Sequence, residues 1–368
     1  MEFHRHLSGT FQTVVVQPTS RCAWACEYCY LPTKDQRLEM PVPVAEAVAA
    51  SIAAQDGDRP VTVVWHGGEP LSLRRDRFEP LLRPFAGLQA AGRVRHAVQT
   101  NAGLITDAWC ALFTAYDVSV GVSIDGPAWA NAQRRDGAGN PTFDRAMRGI
   151  ATLQRNGLPF TAIAVVTADT VGRADEIMEF FERLGARHVG FNLEEQEGAN
   201  TRDPGIGRPA AARFWRHVLL RRAAGSALPV REIDRLLAHL RRRRAGNRPP
   251  QPRYDPIPTV AWNGDVVLLS PELAGVPTAS YGTFVVGNVT SQTLPELIGR
   301  AHEVRYVAEF GQALERCAAE CELYSYCGGA QAANRYFETG TFATTETAYC
   351  SNTYKALIDA LNDLTTHV

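Results

Sequence analysis

From residue 11 to about 195 the chain alternates short apolar, β-branched runs with longer stretches in which apolar positions recur every three or four residues. The short runs predict strands at Thr13–Val16, Val61–Trp65, Val94–Thr100, Val118–Ile124, Phe160–Val166 and His188–Leu193. The amphipathic stretches, such as Val44–Ala54, Thr106–Tyr116, Phe143–Asn156 and Val171–Leu184, predict helices between them. Such alternation implies a parallel α/β sheet with helices outside, either doubly wound or curled into a barrel. In both forms the chemistry belongs at the C-terminal ends of the strands. A cysteine-bearing loop, His66–Glu69, Asn101 and Asp125 all fall at such ends, so they are expected to share one site.

Beyond residue 195 the pattern changes. Asn200–Pro209 is polar and rich in Gly and Pro, a linker signal. Helices are expected at Ala210–Ala223 and Arg231–Arg244; the second ends in four consecutive arginines, which read as a solvated face or as a docking surface for an acidic peptide. Gly246–Arg253, with three prolines, is expected to be extended or mobile. Val260–Leu268 places two apolar runs around Asn263-Gly264-Asp265, a hairpin. A cysteine-bearing unit then runs from Gly287 to a closing helix near Asn352–Leu364. The expected division is a core over 1–200, a helical linker over 201–255 and a C-terminal domain over 256–368.

Composition narrows the class. With 368 residues and 45% hydrophobic content, the chain can bury a large core. A net charge of −1 offers no field for nucleic acid. The first residues lack the apolar core of a signal peptide, and no run approaches transmembrane length, so a cytoplasmic protein without a membrane partner is expected. That compartment keeps thiols reduced, so eight cysteines point to metal ligation rather than disulfides. They fall into two groups, which implies two centres, while Cys110 in its apolar surroundings reads as an inert buried thiol.

Cys22, Cys26 and Cys29 follow the first strand at C-x3-C-x2-C spacing, close enough to converge on zinc or an iron–sulfur cluster. Zinc is usually closed by four ligands, and no fourth Cys or His follows soon after Cys29. Cys317, Cys321, Cys327 and Cys350 can complete a four-cysteine site, and spacing alone leaves zinc and a four-iron cluster both open there. In His66-Gly67-Gly68-Glu69-Pro70 the glycines let a backbone approach a ligand and the carboxylate can accept from an amine; a tight turn is the alternative. Gln99-Thr100-Asn101 and Ser123-Ile124-Asp125-Gly126-Pro127 offer short polar groups to a ligand, or caps to the following helices. Phe191-Asn192-Leu193-Glu194-Glu195-Gln196-Glu197 closes the sixth strand with acids that could include a base or could be solvated.

The string C-x3-C-x-aromatic-C, with Tyr28 as the aromatic, together with Gly67-Gly68-Glu69-Pro70, resembles the signature of the radical S-adenosylmethionine (SAM) superfamily. The resemblance implies a partial (β/α)6 TIM-like barrel and a [4Fe-4S] cluster on Cys22, Cys26 and Cys29 whose open iron binds SAM. Gly67, Gly68, Glu69 and Pro70 would hold the SAM amino group, beside Tyr28 and Asn101. Ser123, Asp125 and Arg135 would contact its ribose or carboxylate, and Leu193 would lie along its adenine. Ala102 stands where the peptide-modifying branch carries Gly. The C-terminal cysteines resemble the SPASM extension, with Cys317, Cys321, Cys327 and Cys350 matching the second auxiliary cluster. Gln331 replaces a family cysteine, and Leu268, Leu269 and Ser270 carry no thiol near the hairpin, so one auxiliary [4Fe-4S] cluster is expected, with zinc as the alternative.

The chemistry so implied is reductive cleavage of SAM to a 5′-deoxyadenosyl radical, fed by an electron donor such as flavodoxin or ferredoxin. The substrate implied is a ribosomally made precursor peptide with a leader, and the product a cyclophane joining an aromatic ring to a β-carbon. Glu194, Glu195 and Asp265 are the candidate bases. Alternatives are a formylglycine-generating sulfatase maturase, a thioether-forming or epimerising maturase, and a metal-stabilised peptide-binding scaffold. The first strand begins by about residue 13, so leader recognition is expected from the barrel rim, the Arg-rich helix or a separate protein.

Overall fold

A computed structural model describes residues 5–57, 59–246 and 252–366. Six strands, β1 (Thr13–Val16), β2 (Val61–Trp65), β3 (Val94–Thr100), β4 (Val118–Ser123), β5 (Phe160–Val166) and β6 (Val189–Leu193), pair in parallel with each chain neighbour. Three shorter strands, β7 (Thr259–Val260), β8 (Asp265–Val267) and β9 (Gly287–Asn288), continue the same sheet beyond β1, giving the order β6-β5-β4-β3-β2-β1-β7-β8-β9. Strict sequential order from β1 to β6 decides between the two α/β forms. Every crossover steps the same way, and right-handed crossovers then place all the helices on one face. The other face becomes an interior, so this is the partial barrel and not a doubly wound sheet.

Side chains alternate across the pleat, as in β3, where burial follows every second residue. Outward-facing Trp65 packs edge-on against Phe78 and Phe85, with ring centroids 5.3 and 6.0 Å away. Phe78 belongs to Arg75–Leu82, a helix that the pattern did not reveal. Its arginines and internal Pro80 mask the periodicity, but Phe78, Leu81 and Leu82 are buried. The other predicted helices form within a few residues of expectation, at Val42–Ala54, Asp107–Ala115, Phe143–Arg155 and Ala174–Leu184. Thr106 caps the second by accepting from Trp109 N. Cys110 is buried on that helix.

The Asn263-Gly264-Asp265 turn joins β7 to β8 as an antiparallel hairpin, Thr259 opposite Val267. Because β7 lies parallel to β1, the C-terminal region is stitched directly onto the strand that feeds the first cysteine loop. Behind it, Tyr281, Phe284, Tyr306, Tyr336 and Phe342 pack ring on ring. The Trp215 indole, on helix Arg208–Ala223, donates to Asn352 O at 2.8 Å and ties the closing segment to the barrel. The closing helix, Ala356–Thr366, is preceded by a π-helical turn, Cys350–Lys355. The four arginines ending Arg231–Arg244 are exposed, and most of the Gly246–Arg253 segment lies outside the described residues. Among the described residues no helix is long and apolar enough to cross a membrane.

Candidate active site

At the C-terminal ends of β1 to β6 one cavity is lined by Cys22, Cys26 and Cys29 from the first loop, Glu69 after β2, Asn101 after β3, Ser123 ending β4, and Leu193, Glu194 and Glu195 at β6. Gly67 and Gly68 make the approach of the second loop to the first possible. Both have positive φ, +98° and +60°, and a Cβ on Gly68 would stand 2.6 Å from Arg21 O. The contact it preserves is a hydrogen bond from Glu69 N to Arg21 O at 2.7 Å, one residue before Cys22.

Glu69 is almost fully buried. Its carboxylate accepts from Thr100 Oγ1 at 2.6 Å, Leu71 N at 3.1 Å and Asn101 N at 2.8 Å. Four acceptor positions minus these three leave one for a ligand. Burial raises its pKa while the three donors oppose the rise. Pro70 starts the short turn behind Glu69 and is buried. Asn101 Oδ1 accepts from Gly103 N, and Nδ2 lies 3.9 Å from Cys22 Sγ. Ala102 follows in the left-handed region, φ 62°, a conformation that favours glycine.

Asp125 and Arg135 are placed differently from expectation. Asp125 accepts four hydrogen bonds from the protein: Arg134 Nε at 2.9 Å, Arg134 Nη2 at 2.8 Å, Val165 N at 2.9 Å and Tyr28 Oη at 2.5 Å. Its lone pairs are used, and it is not in the cavity wall. It holds Arg134 and Tyr28, which are. Arg135 is half-buried outside the cavity, donates to Gly139 O at 3.0 Å and is 3.9 Å from Glu27. Arg134, and not Arg135, therefore lines the cavity. The bend after β4 decides between the neighbours, because Asn131 Nδ2 donates to Gly126 O at 2.6 Å and Asn131 Oδ1 accepts from Asp125 N at 3.0 Å.

Asp265, a third candidate base, lies in the hairpin, where Asn263 Nδ2 and Asn288 Nδ2 hold its oxygens at 2.7 and 3.0 Å. It is outside the cavity. Glu194 and Glu195 are inside it. Glu194 is 5% exposed, with Arg202 Nη2 3.8 Å from Oε1, and burial raises its pKa. Arg134 and Glu272, which the sequence did not single out, also line the cavity, as do Tyr30 and His66. Tyr30 Oη and His66 Nε2 are 2.9 Å apart, and burial lowers the His66 pKa to about 4, so its ring is neutral.

The chemistry of the thiols fits an iron–sulfur cluster. Cys22, Cys26 and Cys29 are free and lie within one another's field. Burial, followed by the Glu69 carboxylate, pushes Cys22 up to about 12. Such a thiol ionises only where a cationic centre takes the thiolate. The cavity wall holds three thiols, whereas a zinc site is usually closed by four ligands, so an iron–sulfur cluster suits the set better than zinc. A second group, away from the cavity, joins Cys317 at the end of helix Arg305–Glu320, Cys321, Cys327 and Cys350. Buried Arg335 stands 3.6 Å from Cys317 Sγ, and Gly329 N donates to Cys327 Sγ at 3.3 Å, the donors a cluster's sulfurs require. Gln331, where a family cysteine would stand, donates instead to Glu197 Oε1 at 3.2 Å.

The model of the Radical SAM superfamily matches residues 16–181. An uncharacterised protein of Synechocystis sp., sll1766, is 30% identical over 93% of this chain and 89% of its own length. A serine-type anaerobic sulfatase-maturating enzyme of Klebsiella aerogenes is 34% identical, but the match spans 50% of this chain and only 46% of that protein. The structure of anSMEcpe with bound AdoMet and the Cp18Cys peptide superposes with a TM-score of 0.75 at 19% identity, covering 97% of this chain and 99% of that one. SuiB of Streptococcus suis, bound to its precursor peptide SuiA, gives 0.67 at 16% identity, covering 94% and 77%.

Proposed function

The chain belongs to the radical SAM superfamily, and on that premise we propose that it matures a ribosomally made precursor peptide by joining an aromatic ring to the β-carbon of a nearby residue. The observation that carries this reading is one cavity that encloses the three loop thiols, the Glu69 carboxylate, the Arg134 guanidinium and the acids after β6. When bound together, a [4Fe-4S] cluster and SAM would supply radical chemistry able to remove a hydrogen atom from the substrate. Cys22, Cys26 and Cys29 would hold that cluster, and Cys317, Cys321, Cys327 and Cys350 the auxiliary one, whose chemistry is electron transfer.

The remaining acceptor position of Glu69 suits the SAM ammonium, and Arg134 suits its carboxylate. Ser123 and Asn101 are within the wall for the ribose, and Leu193 offers an apolar face for adenine. Asp125 acts as the positioning residue for Arg134 and Tyr28. Glu194 is the group we assign to take the ring proton, because its raised pKa brings a carboxylate closer to neutral pH. A peptide substrate is supported by the peptides that anSMEcpe and SuiB carry. Residues 1–200 would form the catalytic core, 201–255 the linker and 256–368 the auxiliary domain, with ferredoxin or flavodoxin as electron donor and the leader bound at the rim or at the Arg-rich helix.

A second reading, oxidation of a sulfatase Ser or Cys to formylglycine, is favoured by the likeness to the Klebsiella enzyme. Anaerobic reaction of the reconstituted enzyme with the peptide encoded beside its gene, followed by tandem mass spectrometry, separates the two. A loss of two hydrogens located to a ring–carbon link supports the cyclophane. An aldehyde that reacts with a hydrazide on a sulfatase peptide supports the second reading, and absence of 5′-deoxyadenosine overturns both.

A further inference from the structure

Glu195, Glu197 and Glu272 stand together in the cavity wall, with Glu338 of helix Ala332–Thr339 beside them. Their side-chain donors are neutral: Asn334 Nδ2 to Glu195 Oε2 at 2.7 Å, Gln331 Nε2 to Glu197 Oε1 at 3.2 Å, and the Ser270 hydroxyl to Glu272. No Lys or Arg among the described residues pairs with any of the three. Burial pushes Glu195 up to about 8 and raises Glu197 and Glu272 in the same direction.

Independent of the carboxylates, fully buried Asn334 directs its amide at Glu195 and leaves Oδ1 without a hydrogen-bond partner. Glu194 Oε1, in the cavity wall, makes no hydrogen bond and has only the Arg202 guanidinium near it, at 3.8 Å. A buried acceptor left open beside acids that have only neutral donors calls for a group with several N–H donors and a positive charge. The carboxylates do not converge as a metal site would require. An organic cation meets both conditions.

We propose that Glu195, Glu197 and Glu272 form a subsite for the guanidinium or ammonium of a basic side chain in the substrate. Its identification as a peptide side chain rests on the peptide-modifying function. The cation would displace protons shared by the acids and donate charge-assisted hydrogen bonds to them, fixing which residue of the substrate stands at the radical.

The test is isothermal titration of the anaerobically reconstituted full-length enzyme, with SAM bound, against Nα-acetyl-argininamide and its neutral isostere Nα-acetyl-citrullinamide. The arginine probe is expected to bind about tenfold or more tightly, the worth of one charge-assisted hydrogen bond. Glu197→Gln and Glu272→Gln should each bring the ratio toward unity. Equal affinity of the two probes for the unaltered enzyme, or no detectable binding of the arginine probe, overturns the subsite without reference to any variant. Full discrimination in both variants overturns it too. Measuring 5′-deoxyadenosine in the same preparations keeps the two ideas apart: SAM cleavage without probe discrimination removes only the subsite, and discrimination without SAM cleavage removes only the enzymatic function.

Discussion

Asp125 grips Arg134 with both carboxylate oxygens, at 2.9 Å to Nε and 2.8 Å to Nη2, and both side chains are buried, 1% and 7% exposed. The pair also binds the two halves of the barrel mouth, since Asp125 accepts from Tyr28 on the first loop and from Val165 N on β5. Removing one partner leaves the other charged in a dry site. Asp125→Ala is therefore expected to lower unfolding free energy by about 3 to 5 kcal/mol, read as a lower urea midpoint at unchanged slope. A loss below about 1 kcal/mol would contradict a buried, fully used ion pair.

Arg134 and Arg135 are neighbours in sequence with opposite surroundings. Arg134→Gln is expected to weaken SAM binding by about tenfold or more, because a charged donor in the cavity is lost. Arg135→Ala, outside the cavity wall, should change it less than about twofold. Anaerobic titration calorimetry with SAM reads both, and equal effects would return Arg135 to the site.

The two thiol groups are separate, one in the cavity and one outside it. Replacing Cys22, Cys26 and Cys29 together by Ala should abolish 5′-deoxyadenosine formation and reduce iron from about eight to about four per chain. Loss of all iron would mean that the C-terminal group does not hold its cluster independently.

Glu195 predicts a pH dependence with a definite sign. Its carboxyl is raised from 4.5 to about 8 by burial first, so the folded chain keeps a proton that the unfolded chain releases. Stability from this group is present below the unfolded value and falls as pH rises from about 4.5 to about 8. Glu195→Gln removes the titrating group and should gain stability relative to the unaltered chain across that interval. Urea midpoints at about pH 5 and about pH 8 measure it, and a constant difference between the two proteins would rule out a raised carboxyl.

The arginines at 241–244 are exposed on one helix end. Reversing their charge is expected to weaken binding of a precursor leader, more strongly at low salt. Unchanged affinity in fluorescence anisotropy would leave them a solvated face.

Much of this was fixed by local chemistry. Strands rich in Val and Ile separated by amphipathic helices can only be buried as a parallel sheet, and thiols at C-x3-C-x2-C spacing must meet whatever the rest does. The glycines of the second loop could be read from sequence as a place of close backbone approach, but that Gly68 lies against Arg21 of the cysteine loop came from the structure. What only tertiary structure decided depends on residues brought from far along the chain. Arg134 enters the cavity and Arg135 leaves it because Asn131 sets the bend and Asp125 supplies the grip. Glu272 meets Glu195 and Glu197 because β7 pairs with β1 and brings the hairpin's end over the barrel mouth. Asp265, on that same hairpin, is turned to Asn288 instead. Period and spacing carry information over a few residues, whereas the direction of a loop side chain is set by hydrogen bonds to partners that no local pattern names.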